Sequence, residues 1–314
     1  MRAVAVTGFG STPRLMELPR PEPGLGEVLV RLHAAGVNPF DWKVVDGILK
    51  DVVPHGFPLV VGMDGAGEVI EVGRGITRFQ PGDAVYGQFM RLPQGGGSYA
   101  EFAVADESAI ALAPRSVGPA EAAAIPTAGM TAANVLAATG VVDGVRVLIV
   151  GATGGVGTFA TQLAAGRGAH VIVTARAASA ELMRGFGARE VVDHTTGSVA
   201  DQVRAAHPDG VDVLIDLVSD RAALTELAGV VRDGGTVAST IGAADVEALT
   251  AKGLRASNFQ NTSSAALLDA LAVQVDSGLL TAPIGREVSL DEAPAALADS
   301  RTGRAAGKTV ILLG

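Results

Sequence analysis

The stretch Val145-Arg-Val-Leu-Ile-Val-Gly-Ala-Thr-Gly-Gly-Val-Gly-Thr-Phe-Ala-Thr-Gln-Leu-Ala164 decides the fold. Its apolar, β-branched opening, Val145 to Val150, predicts a strand buried on both faces. A glycine cluster follows at once. Apolar residues then recur at helical spacing, at Val156, Phe159, Ala160, Leu163 and Ala164. Strand, glycine turn and helix form the first half of a dinucleotide-binding unit. Phosphates need backbone N–H groups at the helix N-terminus and no side chains in the way. Gly154 and Gly157 keep the spacing of the last two glycines of G-x-G-x-x-G, and Ala152 stands where the first would be. The candidate cofactor cradle is therefore Ala152, Thr153, Gly154, Gly155, Val156 and Gly157.

Outward from this stretch, strands and helices alternate. Val171–Ala175, Glu190–Asp193, Val211–Leu217 and Gly235–Thr240 are the further strand candidates, with helices predicted over Val156–Ala165, Ala178–Gly185 and Arg221–Val231. This alternation predicts a doubly wound parallel sheet. Before it, Gly118 to Thr139 is alanine-rich and helical, broken in two by Pro126. Residues 1–117 read as short strands at close spacing with no helix between them, an antiparallel β lobe. Strands are predicted at Arg2–Val6, Val28–Leu32, Ala84–Tyr86 and Tyr99–Val104, and the glycine-dense run Val60–Val72 suggests a strongly bent sheet. After Leu254–Gln260, a further strand, helices at Ala265–Asp276 and Glu292–Ser300 and a strand at Lys308–Leu313 close the chain. The expected fold is α/β: a β-rich domain over 1–117, a nucleotide-binding domain over 118–258, and a return to the first domain over 259–314.

Composition narrows the function. Of 314 residues, 48% are apolar and 18% charged, which fits a large core and excludes disorder. A net charge of −9 without a basic cluster argues against nucleic acid or an anionic membrane as partner. The chain has no cysteine, so disulfides, thiolate zinc sites and cysteine nucleophiles are excluded. This fits a reducing cytoplasm. The N-terminus reads as strand and turn rather than signal peptide, and no apolar run has transmembrane length.

The second strand of the parallel sheet ends at Thr174-Ala-Arg176, without the acid that usually binds the ribose 2′-hydroxyl of NAD. Arg176 could pair with a 2′-phosphate, or be a solvated surface arginine; the first reading favours NADP(H).

The motifs together resemble the medium-chain dehydrogenase/reductase superfamily, most closely its zinc-independent quinone oxidoreductase branch. The resemblance rests on Ala35-Gly-Val-Asn-Pro-Phe-Asp-Trp-Lys43, Pro58-Leu-Val-Val-Gly-Met-Asp-Gly-Ala-Gly67, Pro81-Gly-Asp-Ala-Val85 and Gly97-Ser-Tyr-Ala-Glu-Phe102. It continues through Ala124-Ile-Pro-Thr-Ala-Gly-Met-Thr-Ala132, the turn 151–157, Phe186-Gly-Ala-Arg-Glu-Val-Val-Asp193 and Val211-Asp-Val-Leu-Ile-Asp216. It implies a GroES-like β-rich catalytic domain, a Rossmann domain, an active site in the cleft between them, and often a homodimer. No metal is expected, since Asn38 stands near where the zinc enzymes place a cysteine ligand.

By resemblance, Asn38 lines the nicotinamide end of the cleft, where its amide could hydrogen-bond cofactor or substrate, unless it serves mainly an Asn-Pro turn. Asp41 is structural, and Tyr99 is packing. Phe40 and Trp42 wall the pocket or belong to the core. Thr127 and Thr131 approach the nicotinamide and pyrophosphate, or cap the helix. Relatives often grip the 2′-phosphate with Ser, Lys and Tyr where this chain has Arg176, Ala178 and His194. His194 then meets adenine or phosphate, or is an exposed loop residue. Leu217, Val218 and Ile241 would line the nicotinamide–ribose side, followed by Phe259 and Lys308.

The implied activity is hydride transfer from NADPH to a quinone or an α,β-unsaturated carbonyl, small molecules already activated by conjugation, with the proton taken from water. Two alternatives stay open on the same fold: a non-redox, cyclase-like enzyme and a non-catalytic NADPH-binding protein.

Overall fold

The computed structural model describes residues 1–303 and 307–314. The chain forms two compact units, one of Met1–Met130 with Ser263–Gly314, the other of Thr131–Thr262.

In chain order, the first unit begins with β1 (Arg2–Val6), β2 (Arg14–Glu17), β3 (Glu27–Gly36), α1 (Pro39–Val45), β4 (Leu59–Val60), β5 (Asp64–Val72), β6 (Ala84–Gln88), β7 (Phe102–Asp106), β8 (Ile110–Leu112), α2 (Pro119–Ala124) and the start of α3 (Pro126–Ala138). The second unit follows with β9 (Arg146–Val150), α4 (Gly155–Gly166), β10 (His170–Thr174), α5 (Ala180–Gly185), β11 (Glu190–Val192), α6 (Val199–Ala206), β12 (Val211–Asp216), α7 (Arg221–Leu227), β13 (Val231–Ser239), α8 (Val246–Ala251) and β14 (Arg255–Asn258). The chain then returns to the first unit with α9 (Ala265–Asp276), β15 (Ile284–Ser289), α10 (Ala293–Ser300) and β16 (Lys308–Leu312).

The β-rich unit is organised by β3, whose ten residues are almost continuously buried. One edge of β3 pairs with β5. On its other edge, the first half pairs with β7 and the second half with β16, so the sheet bends along this strand. The full order is β15-β16-β3-β5-β6-β8, with a separate sheet β2-β1-β4. Helix α2 lies against β3 and β5, which groups residues 118–130 with this unit. Tyr86 is fully buried, and its hydroxyl donates to the Leu268 carbonyl of α9 at 2.6 Å, tying the returning segment to the sheet.

The second unit is a six-stranded sheet in the order β11-β10-β9-β12-β13-β14, with every neighbouring pair parallel. This is the doubly wound arrangement expected from the sequence. Order reverses between β9 and β12, and ligands of such sheets sit beyond the carboxyl ends of the strands at that point. Leu148, Ile172, Leu214 and Val237 from the central strands form its core with Leu224 and Leu249 from the helices.

Several local expectations are corrected. Helix α1 interrupts the run of strands, because Asn38 at its N-cap and Pro39 at its first position start a helix that Asp41 steadies by accepting the Asn38 N–H at 2.8 Å. Residues 99–100 do not join β7: Tyr99 bonds Val61 and Val4 through its backbone and turns its ring inward. The predicted helix 221–231 ends at Leu227, and Val231 opens β13. Helices α6 and α8, capped by Ser198 and Asp245, escape the apolar pattern because both are short and mostly polar on the outside. Among the described residues, no helix is long and apolar enough to cross a membrane.

Candidate functional site

In the parallel-sheet unit the site grows from the carboxyl end of β9. Gly151 adopts a left-handed φ of 86°, and its N–H donates to the Thr174 hydroxyl at 3.0 Å. Gly154 is the N-cap of α4 and offers no side chain to its first-turn amides. Those N–H groups and the positive end of the helix dipole are left for an anion. Gly157 is fixed by packing: a Cβ there would lie 2.5 Å from both the Ala152 Cα and the Gly151 carbonyl oxygen. A Cβ on Gly154 would meet only the Gly151 oxygen, at 3.4 Å, and would stand in the space ahead of the helix. Ala152 is buried, while Thr153, Gly155 and Val156 are half-exposed around that space. The cradle fits a pyrophosphate.

Five loops that follow strands of this sheet carry most of the other expected cofactor residues. Arg176 is exposed immediately after β10 and is paired with no carboxylate among the described residues. His194 is exposed after β11. Asp193 draws these two loops together: its carboxylate accepts the Ala177 N–H at 3.0 Å and the Thr195 N–H at 2.8 Å. The Thr195 hydroxyl and N–H hold its pKa below the ordinary carboxylate value. Leu217 and Val218 follow β12, and the Val218 side chain lies against Gly151. Ile241 follows β13. Buried Asp216 fixes both loops, accepting the Ser219 N–H at 2.9 Å and the Ser239 hydroxyl at 3.0 Å. Phe259 is half-buried after β14, its N–H on the Ser239 carbonyl at 2.8 Å, and Thr131 is buried in α3.

The β-rich unit holds a second polar centre, around Asp64 at the start of β5. Asp64 is fully buried. It accepts the Asn38 amide at 2.9 Å, the Thr127 N–H at 3.0 Å and the Thr127 hydroxyl at 2.6 Å. The buried Lys308 ammonium stands 3.7 Å from its carboxylate and donates to the Asn38 side-chain oxygen at 2.6 Å and the Val37 carbonyl at 3.1 Å. Gln88 donates to the Thr127 hydroxyl at 2.8 Å and accepts from Ser263 at 2.6 Å. Burial pushes the Asp64 pKa up and that of Lys308 down, their mutual attraction opposing both shifts. Behind this group, Asp41 accepts the Tyr99 hydroxyl at 2.8 Å on the same oxygen that takes the Asn38 N–H. Its other oxygen is buried without a partner, and burial raises the carboxyl to about 7.

The structure thus joins Asn38 and Thr127 through one carboxylate. Asn38 spends its amide on Asp64 and Lys308, whereas Thr127 and Gln88 are half-exposed at the edge of the group. Phe40 and Trp42 are half-buried and pack on the apolar core. Asp64, Asp193 and Asp216 lie within the motifs of the resemblance, though none carries a role there. The available signal was a lone acid within or ending a buried apolar strand, which must find partners.

The donor set around Asp64 does not suit zinc, because an ammonium faces the carboxylate and no imidazole joins it. His55, a histidine of the same unit, stacks edge-on with Phe9 at 4.5 Å.

Two family descriptions match the chain: "Alcohol dehydrogenase GroES-like domain" over residues 24–115 and "Zinc-binding dehydrogenase" over 186–311. The chain is 40% identical over 205 residues to the chloroplast envelope quinone oxidoreductase homologue of Arabidopsis thaliana; that match spans 62% of this chain and 62% of the relative's length. It is 33% identical over 322 residues to the 2-methylene-furan-3-one reductase of Solanum lycopersicum, covering 99% of this chain and 79% of that protein. A mycobacterial structure solved in complex with NADPH superposes with a TM-score of 0.84 at 29% identity, over 99% of both chains.

Proposed function

We propose, for a chain that belongs to the medium-chain dehydrogenase/reductase superfamily and to its quinone oxidoreductase branch, an NADPH-dependent reduction of quinones or α,β-unsaturated carbonyls. The observation that carries this reading is the open glycine turn before α4 with Arg176, rather than an acid, after β10. Bound cofactor supplies a hydride. The residues of the chain do the rest. First-turn amides of α4 bind the pyrophosphate, and Arg176 pairs with the 2′-phosphate, with His194 beside it. Leu217, Val218, Ile241, Phe259 and Thr131 shape the remainder of the cofactor site.

On the substrate side, Thr127 is the contact residue, since it is half-exposed and its hydroxyl ends the Asp64 group. Asn38 and Lys308 are positioning residues, and Phe40 supplies an apolar wall. A conjugated acceptor needs no metal to become electrophilic, and the proton comes from water. The absence of cysteine supports a reducing, cytoplasmic setting, and the family resemblance supports a homodimer.

The test is oxidation of NADPH, with NADH as control, against ortho- and para-quinones, 2-alkenals and cyclic enones. Consumption of NADPH in preference to NADH, with a preferred acceptor class, is the expected result. Binding of NADPH without turnover of any acceptor would sink the reductase reading.

A further inference from the structure

The amino-terminal edge of the parallel sheet, away from the glycine turn, gathers three side chains to which neither motif nor family reading gives a role. His170 opens β10, Glu190 opens β11, and His207 follows α6 as the chain turns toward β12. Parallel pairing places Glu190 opposite Ile172, so Glu190 neighbours the strand carrying His170. His207 is delivered by the last turn of α6, its N–H bonded to the Val203 carbonyl at 2.8 Å. The Nε2 atoms of both imidazoles face one carboxylate. His170 meets one oxygen of Glu190, and His207 meets the other at 3.0 Å. The rings pack edge to face, their centroids 5.8 Å apart. One ligand atom from each residue can be chosen so that all three lie within 4.8 Å of one another.

We infer that His170, Glu190 and His207 form a zinc site. Tetrahedral zinc with bonds of about 2.0–2.1 Å separates its ligand atoms by roughly 3.3 Å, a spacing this group reaches by small rotations of side chains. Two imidazoles and a carboxylate are a donor set of borderline hardness that suits this ion. The side chains are half-buried rather than sealed, which leaves a fourth position for water. Arg146, the register partner of His170 on β9, spends its guanidinium on the Gly210 carbonyl at 3.1 Å. Zinc here takes the Nε2 lone pairs in place of the hydrogen bonds to Glu190, and each neutral imidazole carries its one proton on Nδ1. The ion crosslinks β10, β11 and the end of α6. A five-residue strand separates it from the cofactor turn by about 16 Å, so its effect is on the stability of the sheet rather than on hydride transfer.

The experiment uses the full chain, stripped with a chelator and dialysed at pH 7.5. Zn2+ is titrated by calorimetry, and Co2+ is used as a spectroscopic probe. The expected result is one ion per chain, tetrahedral cobalt bands, a zinc-dependent rise in Tm, and NADPH affinity unchanged by the metal. His207→Ala and Glu190→Gln each weaken zinc binding at least tenfold while NADPH binding persists. Glu190→Gln keeps the size and one acceptor, so it carries the test if His207→Ala fails to fold. Zinc binding that is absent, or equal in the parent and Glu190→Gln proteins, overturns the assignment and leaves the three residues as a hydrogen-bonded clasp.

Discussion

At the glycine turn of the parallel sheet the backbone is arranged to receive charge, and side chains are kept out. In the β-rich unit the arrangement is inverted: one buried carboxylate, Asp64, is met by side chains from three distant parts of the chain. The first centre depends on what is missing at Gly154 and Gly157. The second depends on every member being present, because a buried charge tolerates no lost partner. A backbone cradle can bind a phosphate and release it. A saturated side-chain network holds its own geometry, which suits it to positioning Thr127.

This contrast can be broken, and the largest effect is expected at Asp64. Asp64→Asn leaves the Lys308 ammonium without its counter-charge and turns a donor toward other donors. A loss of about 3–5 kcal/mol in denaturant unfolding is expected. The double variant with Lys308→Met should lose less than the sum. An unchanged unfolding midpoint in Asp64→Asn would show that the network is not held by charge.

Next comes Asp41, whose carboxyl is raised from 3.8 to about 7. The folded chain holds this proton more tightly than the unfolded chain. Its contribution is therefore full below about pH 4, is lost as pH rises toward 7, and is level above, a change of up to about 4 kcal/mol. Asp41→Asn places an amide nitrogen where one oxygen has no partner, and should flatten this slope. Urea midpoints at pH 5 and pH 7.5 for both proteins check it.

The glycine turn answers differently. Gly157→Ala should cost about 2 kcal/mol by overpacking against Ala152 and weaken NADPH at least tenfold. Gly154→Ala should cost under about 1 kcal/mol and yet weaken NADPH similarly, because its Cβ enters only the phosphate space. Normal cofactor affinity in Gly154→Ala would remove the turn from the binding site. The effect of Arg176→Ala is confined to the cofactor: about 1.5–2 kcal/mol of NADPH affinity, with NADH affinity and stability unchanged, measured by fluorescence titration.

The same contrast explains what could be read in advance. Strand β9, the turn and α4 are contiguous, so their chemistry is written in one run of residues. The bounds of helix α9 were legible, but its cap was not decided between two adjacent serines; Ser264 is the one that accepts the Leu267 N–H. The Asp64 network was not, since residues 38, 64, 88, 127 and 308 meet only after β3, β5, β6, α3 and β16 have paired. Asn38 shows the limit: its place near the site was legible, but the commitment of its amide to Asp64 and Lys308 depends on a strand 270 residues away. Helix α1 hid behind Asn38-Pro39, which reads equally as a turn.

Strand β16 pairs with β3 and brings Lys308 to Asp64. Synthesis therefore delivers the acid long before its base. Every residue of the parallel-sheet unit leaves the ribosome in between, so that unit can complete itself on a growing chain. The β-rich unit must wait for residues translated after that whole unit, which leaves a chain cut short before Lys308 with an unneutralised acid at its centre.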